Sequence, residues 1–244
     1  MKGIILAGGK GMRLSPTTRA VSKQLHCVYN KPMIYYPLQT LKDMGIRDIL
    51  IITADAQQYR LFFEQLKHGE RYGLNLEYAI QKKPGGLPEA FIIGEDFIGV
   101  NDDVALILGD NVFITNKELK AEPNTIFTYK VKDPSAYGVA ELDDKNNLVN
   151  IIEKPTEFVS DNAVVGLYVF THAAVGLAKS LKPSKRGELE IVDLISKLNE
   201  EEGLSVEELD GFWFDCGNHD DLLECANLVK AIEHRTNKKV GLHE

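Results

Sequence analysis

The sequence predicts a three-layer α/β fold, with a mostly parallel sheet in its first half and a mixed or antiparallel portion after it. Three observations predict this. Short apolar runs alternate with longer helix-period stretches up to residue 108, the pattern of strands joined by crossover helices. Residues 104–108 read VALIL, a continuous apolar run suited to a central strand covered on both faces. From residue 125 onward strand-type runs follow one another directly, separated by turns at Asp133-Pro134 and 143–147.

Taken in order, residues 3–7 form the first buried strand. A helix follows Pro32 over 33–44 and stops at Gly45. Residues 48–53 (DILIIT) give a second strand, 56–67 a second helix, 74–80 a third strand and 88–97 a short helix. Strands are then expected at 125–132, 139–142, 148–153 and 163–170. Helices return at 188–202 and 219–233, with the aromatic strand GFWFD at 211–215 between them. No repeat, low-complexity tract or Pro/Ser linker interrupts the chain. One continuous domain is expected over 1–244, with the tail after Arg235 frayed.

The formal net charge of −8 argues against general binding to nucleic acid or to a membrane surface. No apolar run approaches the length of a membrane span. The three cysteines, Cys27, Cys216 and Cys225, show neither C-x-x-C pairing nor metal-ligand spacing, so reduced thiols in a cytoplasmic protein are expected. The six histidines form no metal pattern, and no Asp-x-Asp occurs, which counts against most nucleotide-sugar glycosyltransferases.

Against this acidic background, residues 1–31 contain no Asp or Glu, although the chain has 36 acids among 244 residues. The segment carries Lys2, Lys10, Arg13, Arg19, Lys23 and Lys31 around the turn Gly8-Gly9-Lys10-Gly11. Glycines let backbone N–H groups approach an anion, and the cations supply charge, so the segment suits phosphates. Leu14 stands where a dinucleotide fingerprint needs its third glycine, and Gly11 stands where a P-loop needs Ser or Thr. Arg13 offers a planar fork for phosphate oxygens and Lys23 a point charge. A plain hairpin turn with surface cations is the alternative.

Asp110 follows the strand 104–108 behind Gly109, and Asp215 ends the strand 211–215. Ligands in open α/β sheets sit beyond the carboxyl ends of strands, and Mg²⁺ is usually held by one or two carboxylates with phosphate oxygens and water. The two aspartates could share one metal; either alone would be an ordinary turn or cap residue. Glu153-Lys154-Pro155 closes the strand 148–153 in a shaped turn, and Trp213 is the only tryptophan.

Together the motifs resemble one family. Gly8–Pro16 (GGKGMRLSP), Lys23-Gln24-Leu25 and Lys31–Leu38 (KPMIYYPL) are similar to the opening signature of sugar-1-phosphate nucleotidylyltransferases, closest to the glucose-1-phosphate thymidylyltransferase branch in short form. The resemblance continues through LGDNVF (108–113), YGVA (137–140), Glu153-Lys154-Pro155, VGLY (165–168), RGELE (186–190) and WFDCG (213–217), in order over nearly the whole chain. It implies a Rossmann-like nucleotidyltransferase sheet with a mixed-sheet sugar-binding portion, residues 1–115 serving mainly the nucleotide, 116–217 mainly the sugar, and 218–244 forming a C-terminal helix and tail. It implies that Gly8, Gly9 and Gly11 wrap the nucleotide phosphates, that Arg13 and Lys23 hold the leaving pyrophosphate, and that Gln81 and Gly86, in the turn 84–87, read the base. It also implies that Asp110 and Asp215 bind Mg²⁺, that Asn111, Gly138, Glu153 and Val165 contact the sugar, and that Lys154 holds the sugar phosphate. Arg13 and Lys154 would be the catalytic pair. The implied reaction uses a nucleoside triphosphate and a sugar-1-phosphate, dTTP and glucose-1-phosphate by branch, in a homo-oligomer (dimer or tetramer).

The chain departs from the family pattern at Met12, at His26-Cys27 where Leu-Pro is usual, and at Pro88 and Glu89 in the base-reading segment. Longer branch members carry further C-terminal helices and an allosteric site built on them. The same reaction with UTP, CTP or another sugar-1-phosphate, and a non-catalytic nucleotide-sugar sensor, therefore stand as alternatives.

Overall fold

The computed structural model describes residues 1–243. Strand β1 (Lys2–Ala7) leads through 3-10 turns at Met12–Leu14, Thr17–Arg19 and Lys23–Leu25 to the small ribbon β2 (Cys27–Val28) and β3 (Lys31–Pro32). Helix α1 (Tyr35–Asp43), β4 (Asp48–Thr53), α2 (Ala56–Leu66) and β5 (Asn75–Ile80) follow. Then come α3 (Glu89–Ile93), α4 (Glu95–Ile98), β6 (Val104–Leu108), β7 (Asn111–Thr115), β8 (Thr125–Lys130), β9 (Gly138–Leu142), β10 (Leu148–Glu153) and β11 (Asn162–Phe170). The chain closes with α5 (Ala173–Ser180), α6 (Ile191–Glu202), β12 (Ser205–Glu208), β13 (Gly211–Asp215) and α7 (His219–Thr236).

These elements fold into two compact units. The first holds Lys2–Pro84, Ile107–Lys120 and the chain from Asp210 onward; the second holds Met1, Gly85–Leu106 and Ala121–Leu209. The sequence boundaries differ from this division in two places. Residues 85–106 fold with the middle of the chain, and after Leu209 the chain returns to the first unit. The crossing at 106/107 lies inside β6, so no change of composition marks it.

In the first unit β1, β4 and β5 are parallel, in the registers Gly3↔Ile49 and Asp48↔Asn75. Ile4, Ile5, Ile49, Ile51 and Ile52 are fully buried, as strands covered on both faces require. Asp55 caps α2 by accepting the Gln58 N–H at 2.8 Å, and Asn218 caps α7 by accepting the Asp221 N–H at 2.9 Å. β13 runs antiparallel to β7, and Val112, Phe214, Cys216, Cys225 and Val229 pack beneath this ribbon with Val28, Met33 and Tyr36. All three cysteines are free.

In the second unit β10 pairs antiparallel with β9, β11 pairs antiparallel with β9 and β8, and β12 pairs parallel with β8. The α/β class, parallel in one portion and mixed in the other, is the one the sequence predicted. The differences are local. The helix expected over 88–97 is two short pieces meeting at Gly94, and α6 begins at Ile191 rather than 188. β7, α5 and β12 were not foreseen: β7 lies directly behind the Gly109-Asp110 turn, and β12 (SVEE) is too polar to read as a strand. The tail expected to fray from Arg235 is held. α7 runs to Thr236, the Leu242 N–H donates to Tyr35 O at 2.9 Å, and Leu242 is fully buried.

Candidate active site

β1 is apolar up to Ala7, and the polar, glycine-rich turn Gly8–Gly11 follows it directly. Gly11 adopts a φ of 61°, and a Cβ there would lie 2.9 Å from the Thr18 methyl, so glycine alone fits the turn. The Thr18 hydroxyl donates to Gly11 O at 2.8 Å and fixes it. Gly8 backs onto the side chain of Gln81, which is 7% exposed, and Gly9 onto the ammonium end of Lys23. The predicted phosphate loop, the predicted phosphate lysine and the predicted base-reading glutamine thus stand together in the first unit.

Both cations of this loop lean on the two strand-end carboxylates. Lys23 is ion-paired with Asp110, with both side chains largely buried. Arg13 Nη2 donates to Asp215 Oδ2 at 2.9 Å, with the guanidinium mostly exposed. The β13–β7 register sets Asp215 opposite Asn111, and the Cys216 N–H donates to Asp110 O at 2.9 Å. The two aspartates, 105 positions apart in sequence, are therefore neighbours at the end of one ribbon. Burial raises the pKa of Asp215, the negative charge of Asp110 raises it further, and Arg13 opposes both. A pair of buried, mutually repelling carboxylates fits a divalent cation, whose remaining positions phosphate oxygens and water would fill. Among the described residues, no group of three or more Asp, Glu, His or Cys forms a closed metal cage.

Asn111 is buried, and its Oδ1 accepts the Trp213 Nε1–H at 2.7 Å. Its Nδ2 donates to Asp110 Oδ1 at a long 3.4 Å.

The remaining predicted residues lie in the second unit. Glu153 ends β10 opposite Gly138 of β9, and Glu153 Oε1 takes Lys154 Nζ and Arg186 Nη2, each at 3.2 Å. Lys154 holds a φ of 47°, unusual for a residue with a side chain, and its N–H donates to Tyr137 O at 2.8 Å. Val165 is fully buried in β11, so its side chain belongs to the core and a sugar contact there would be made by its backbone.

Sequence reasoning gave Arg186 and Glu190 no role, yet they complete this cluster. Arg186 grips Glu190 through Nε at 3.1 Å and Nη2 at 2.6 Å, and the Ser184 hydroxyl donates to the same carboxylate at 2.5 Å. These bonds, with Glu153, raise the pKa of Arg186. Burial would raise the pKa of Glu190, but the bonds from Arg186 and Ser184 hold it below the ordinary carboxylate range. An arginine followed two and four residues later by acids, in RGELE, was the available signal.

The turn expected to read the base is tied to the same segment. Gly86 has a φ of 100°, and a Cβ there would sit 2.0 Å from Leu189 O. The Leu189 N–H donates to Gly85 O at 2.8 Å, and Glu89 accepts the Gly85 N–H at 3.0 Å. The departure at Glu89 therefore has a local use: its carboxylate pins the turn.

Residues 2–231 match the nucleotidyl transferase family. The chain belongs to that family. A curated glucose-1-phosphate thymidylyltransferase of Neisseria meningitidis is 49% identical over 100% of this chain and 88% of its own. The glucose-1-phosphate thymidylyltransferase of Mycolicibacterium smegmatis is 47% identical over 100% of this chain and 87% of its own. Among solved structures, a Bacillus anthracis protein with bound sucrose, named as a glucose-1-phosphate thymidylyltransferase, superposes with a TM-score of 0.86 at 37% identity, covering 93% of this chain and 94% of that one. A UDP-glucose pyrophosphorylase with UDP-glucose gives a TM-score of 0.82 at 23% identity, which shows the shared nucleotidyltransferase fold. The chain is thus a nucleotidyltransferase-family enzyme. Among the described residues, no helix is long and apolar enough to cross a membrane.

Proposed function

We propose that this nucleotidyltransferase moves a thymidylyl group from dTTP to glucose-1-phosphate, giving dTDP-glucose and pyrophosphate. The observation that carries the reading is the paired set Lys23–Asp110 and Arg13–Asp215 behind the Gly8–Gly11 loop, in a chain matched over its full length by thymidylyltransferases.

In the reaction, a phosphate oxygen of glucose-1-phosphate forms a bond to the α-phosphorus of dTTP. The bond from that phosphorus to the α–β bridging oxygen breaks, and pyrophosphate leaves. The nucleophile is already an anion, so no general base is needed. The work lies in holding two anionic groups in line and neutralising charge. The Gly8–Gly11 loop binds the triphosphate, and Arg13 and Lys23 take the charge that gathers on the leaving pyrophosphate. Gln81 and Gly86 read the base. Lys154, backed by Glu153, binds the sugar phosphate, with Asn111, Gly138, Glu153 and the Val165 backbone on the sugar. Asp110 and Asp215 would hold Mg²⁺, which supplies Lewis-acid neutralisation of phosphate charge when bound. Arg13 and Lys23 are already on these carboxylates, so binding of metal and triphosphate exchanges one set of ion pairs for another. Assembly as a homo-oligomer and a cytoplasmic location, in keeping with three free cysteines, belong to the same proposal.

A second reading keeps the chemistry and changes the base. Pro88 and Glu89 motivate it, because Glu89 sets the Gly85–Gly86 turn through its own carboxylate. Pyrophosphate release with Mg²⁺ and glucose-1-phosphate, measured across dTTP, UTP, CTP, GTP and ATP, tests both. Fastest release with dTTP supports the proposal. Fastest release with another nucleotide overturns the base assignment alone. A folded protein that binds nucleotide and releases no pyrophosphate with any sugar phosphate overturns the transfer.

A further inference from the structure

Asn111 is an amide whose two ends do opposite things: Oδ1 only accepts and Nδ2 only donates. Which end faces a substrate is decided by whatever holds the other. The indole Nε1–H of Trp213 can only donate, and it lies 2.7 Å from Asn111 Oδ1. Trp213 is 8% exposed and Asn111 is 2% exposed, so water does not compete for this bond. The bond joins β13 to β7, where Asp215 stands opposite Asn111 and Trp213 opposite Phe113. The indole therefore fixes the amide plane, and the NH₂ group is turned to the other side, beside Asp110.

We propose that Trp213 is a positioning residue for sugar-phosphate binding: its indole N–H locks Asn111 as a hydrogen-bond donor, so that the group Asn111 takes from the substrate is an acceptor oxygen. This rests on the proposed sugar contact of Asn111. Without the lock only the long contact with Asp110 opposes a flip, and a flipped amide offers an oxygen that a sugar hydroxyl can meet only by turning its own hydrogen to it, at the expense of its other partners. Trp213 itself need not touch the substrate for this to matter. The part of the indole that serves this purpose is its N–H, at 2.7 Å the shorter of the two bonds that orient the amide.

The test is steady-state kinetics with both substrates varied, on Trp213→Phe, Asn111→Ala and the double variant. Phe removes the N–H together with some ring volume. A second protein therefore carries benzothienylalanine at 213, which keeps the shape of the indole and lacks its N–H. The expected result is a rise of about tenfold in KM for glucose-1-phosphate, as for one lost hydrogen bond, with KM for dTTP within about twofold. The benzothienylalanine protein should match Trp213→Phe, and the double variant should be no worse than Asn111→Ala. A parallel rise in both KM values overturns the proposal. So does a lowered Tm with unchanged KM, or multiplication of the two single effects. If Trp213→Phe does not fold, the benzothienylalanine protein decides alone. Failure of the wild type to use glucose-1-phosphate would instead remove the proposed function, so the two failures are distinguishable.

Discussion

Arg13 and Asp215 lie 202 positions apart in the chain and 2.9 Å apart in the fold. The exposed guanidinium sits on a carboxylate that burial and Asp110 both push toward protonation. On the proposed function the guanidinium is held by this carboxylate until phosphate takes it, so its value to stability and to turnover should differ sharply.

Replacing Arg13 by Ala removes a largely exposed ion pair, worth up to about 1 kcal/mol, so Tm should fall by no more than about 4 °C. Turnover should fall by about 10²–10³, the usual loss of one charge-stabilising donor. Pyrophosphate release and a melting curve on the same preparation check this. Equal losses in both would make Arg13 a structural residue.

Asp215→Asn should abolish the Mg²⁺-induced rise in Tm that the wild type is expected to show, because one of the two carboxylates proposed to hold the metal becomes a neutral amide. The measurement is thermal melting against Mg²⁺ concentration without nucleotide. A shift that persists undiminished would place the metal elsewhere.

Glu233 gives a pH dependence. Burial would raise its pKa, but the N–H of Val240, Lys31 and Asn30 hold it at about 2, from an ordinary value of 4.5. A carboxyl with a depressed folded pKa stabilises fully above its unfolded value and loses that contribution as pH falls toward its folded one. Glu233→Gln should therefore be less stable than wild type by about 1–3 kcal/mol at pH 7. The gap in Tm should close as pH falls from about 4.5 toward 2. A gap independent of pH would mean that shape, rather than charge, holds the tail.

His26 occupies a position where the resembling family carries Leu, and its Nε2 is buried with no hydrogen-bond partner among the described residues. An unsatisfied buried polar atom costs about 1–3 kcal/mol. His26→Leu should raise Tm by about 2–4 °C and leave kinetics unchanged. A lower Tm would show that the imidazole contributes packing that Leu cannot replace.

The candidate site stood out in the sequence because its residue types are rarely neutral in meaning, and the structure brings Arg13 to Asp215 and Lys23 to Asp110. A glycine turn purged of acids, Asp110 behind Gly109, and Asp215 at the end of an aromatic strand each pointed to phosphate or metal before any contact was known. The strands of the first half were legible because burial on both faces leaves uninterrupted apolar runs. The Arg186–Glu190 grip and the Trp213–Asn111 bond were hidden, because they depend on which side chains face each other across a turn and across strands β7 and β13. Local pattern carries no such information. The two-unit division was hidden for the same reason: the chain changes unit inside an apolar strand, where composition is least informative. The buried tail was missed because Val240 and Leu242 are two apolar residues among polar ones, too few to set a periodicity.

Gly86 and Leu189 share one narrow contact, with room for no side chain at 86. Through it the turn proposed to read the base and the segment that carries Arg186 and Glu190 are one piece of backbone. If the proposed roles hold, base preference and sugar-phosphate grip are coupled through this bridge. A lineage drifting toward another nucleotide would have to shift both at once, or alter side chains around the turn and leave its backbone alone.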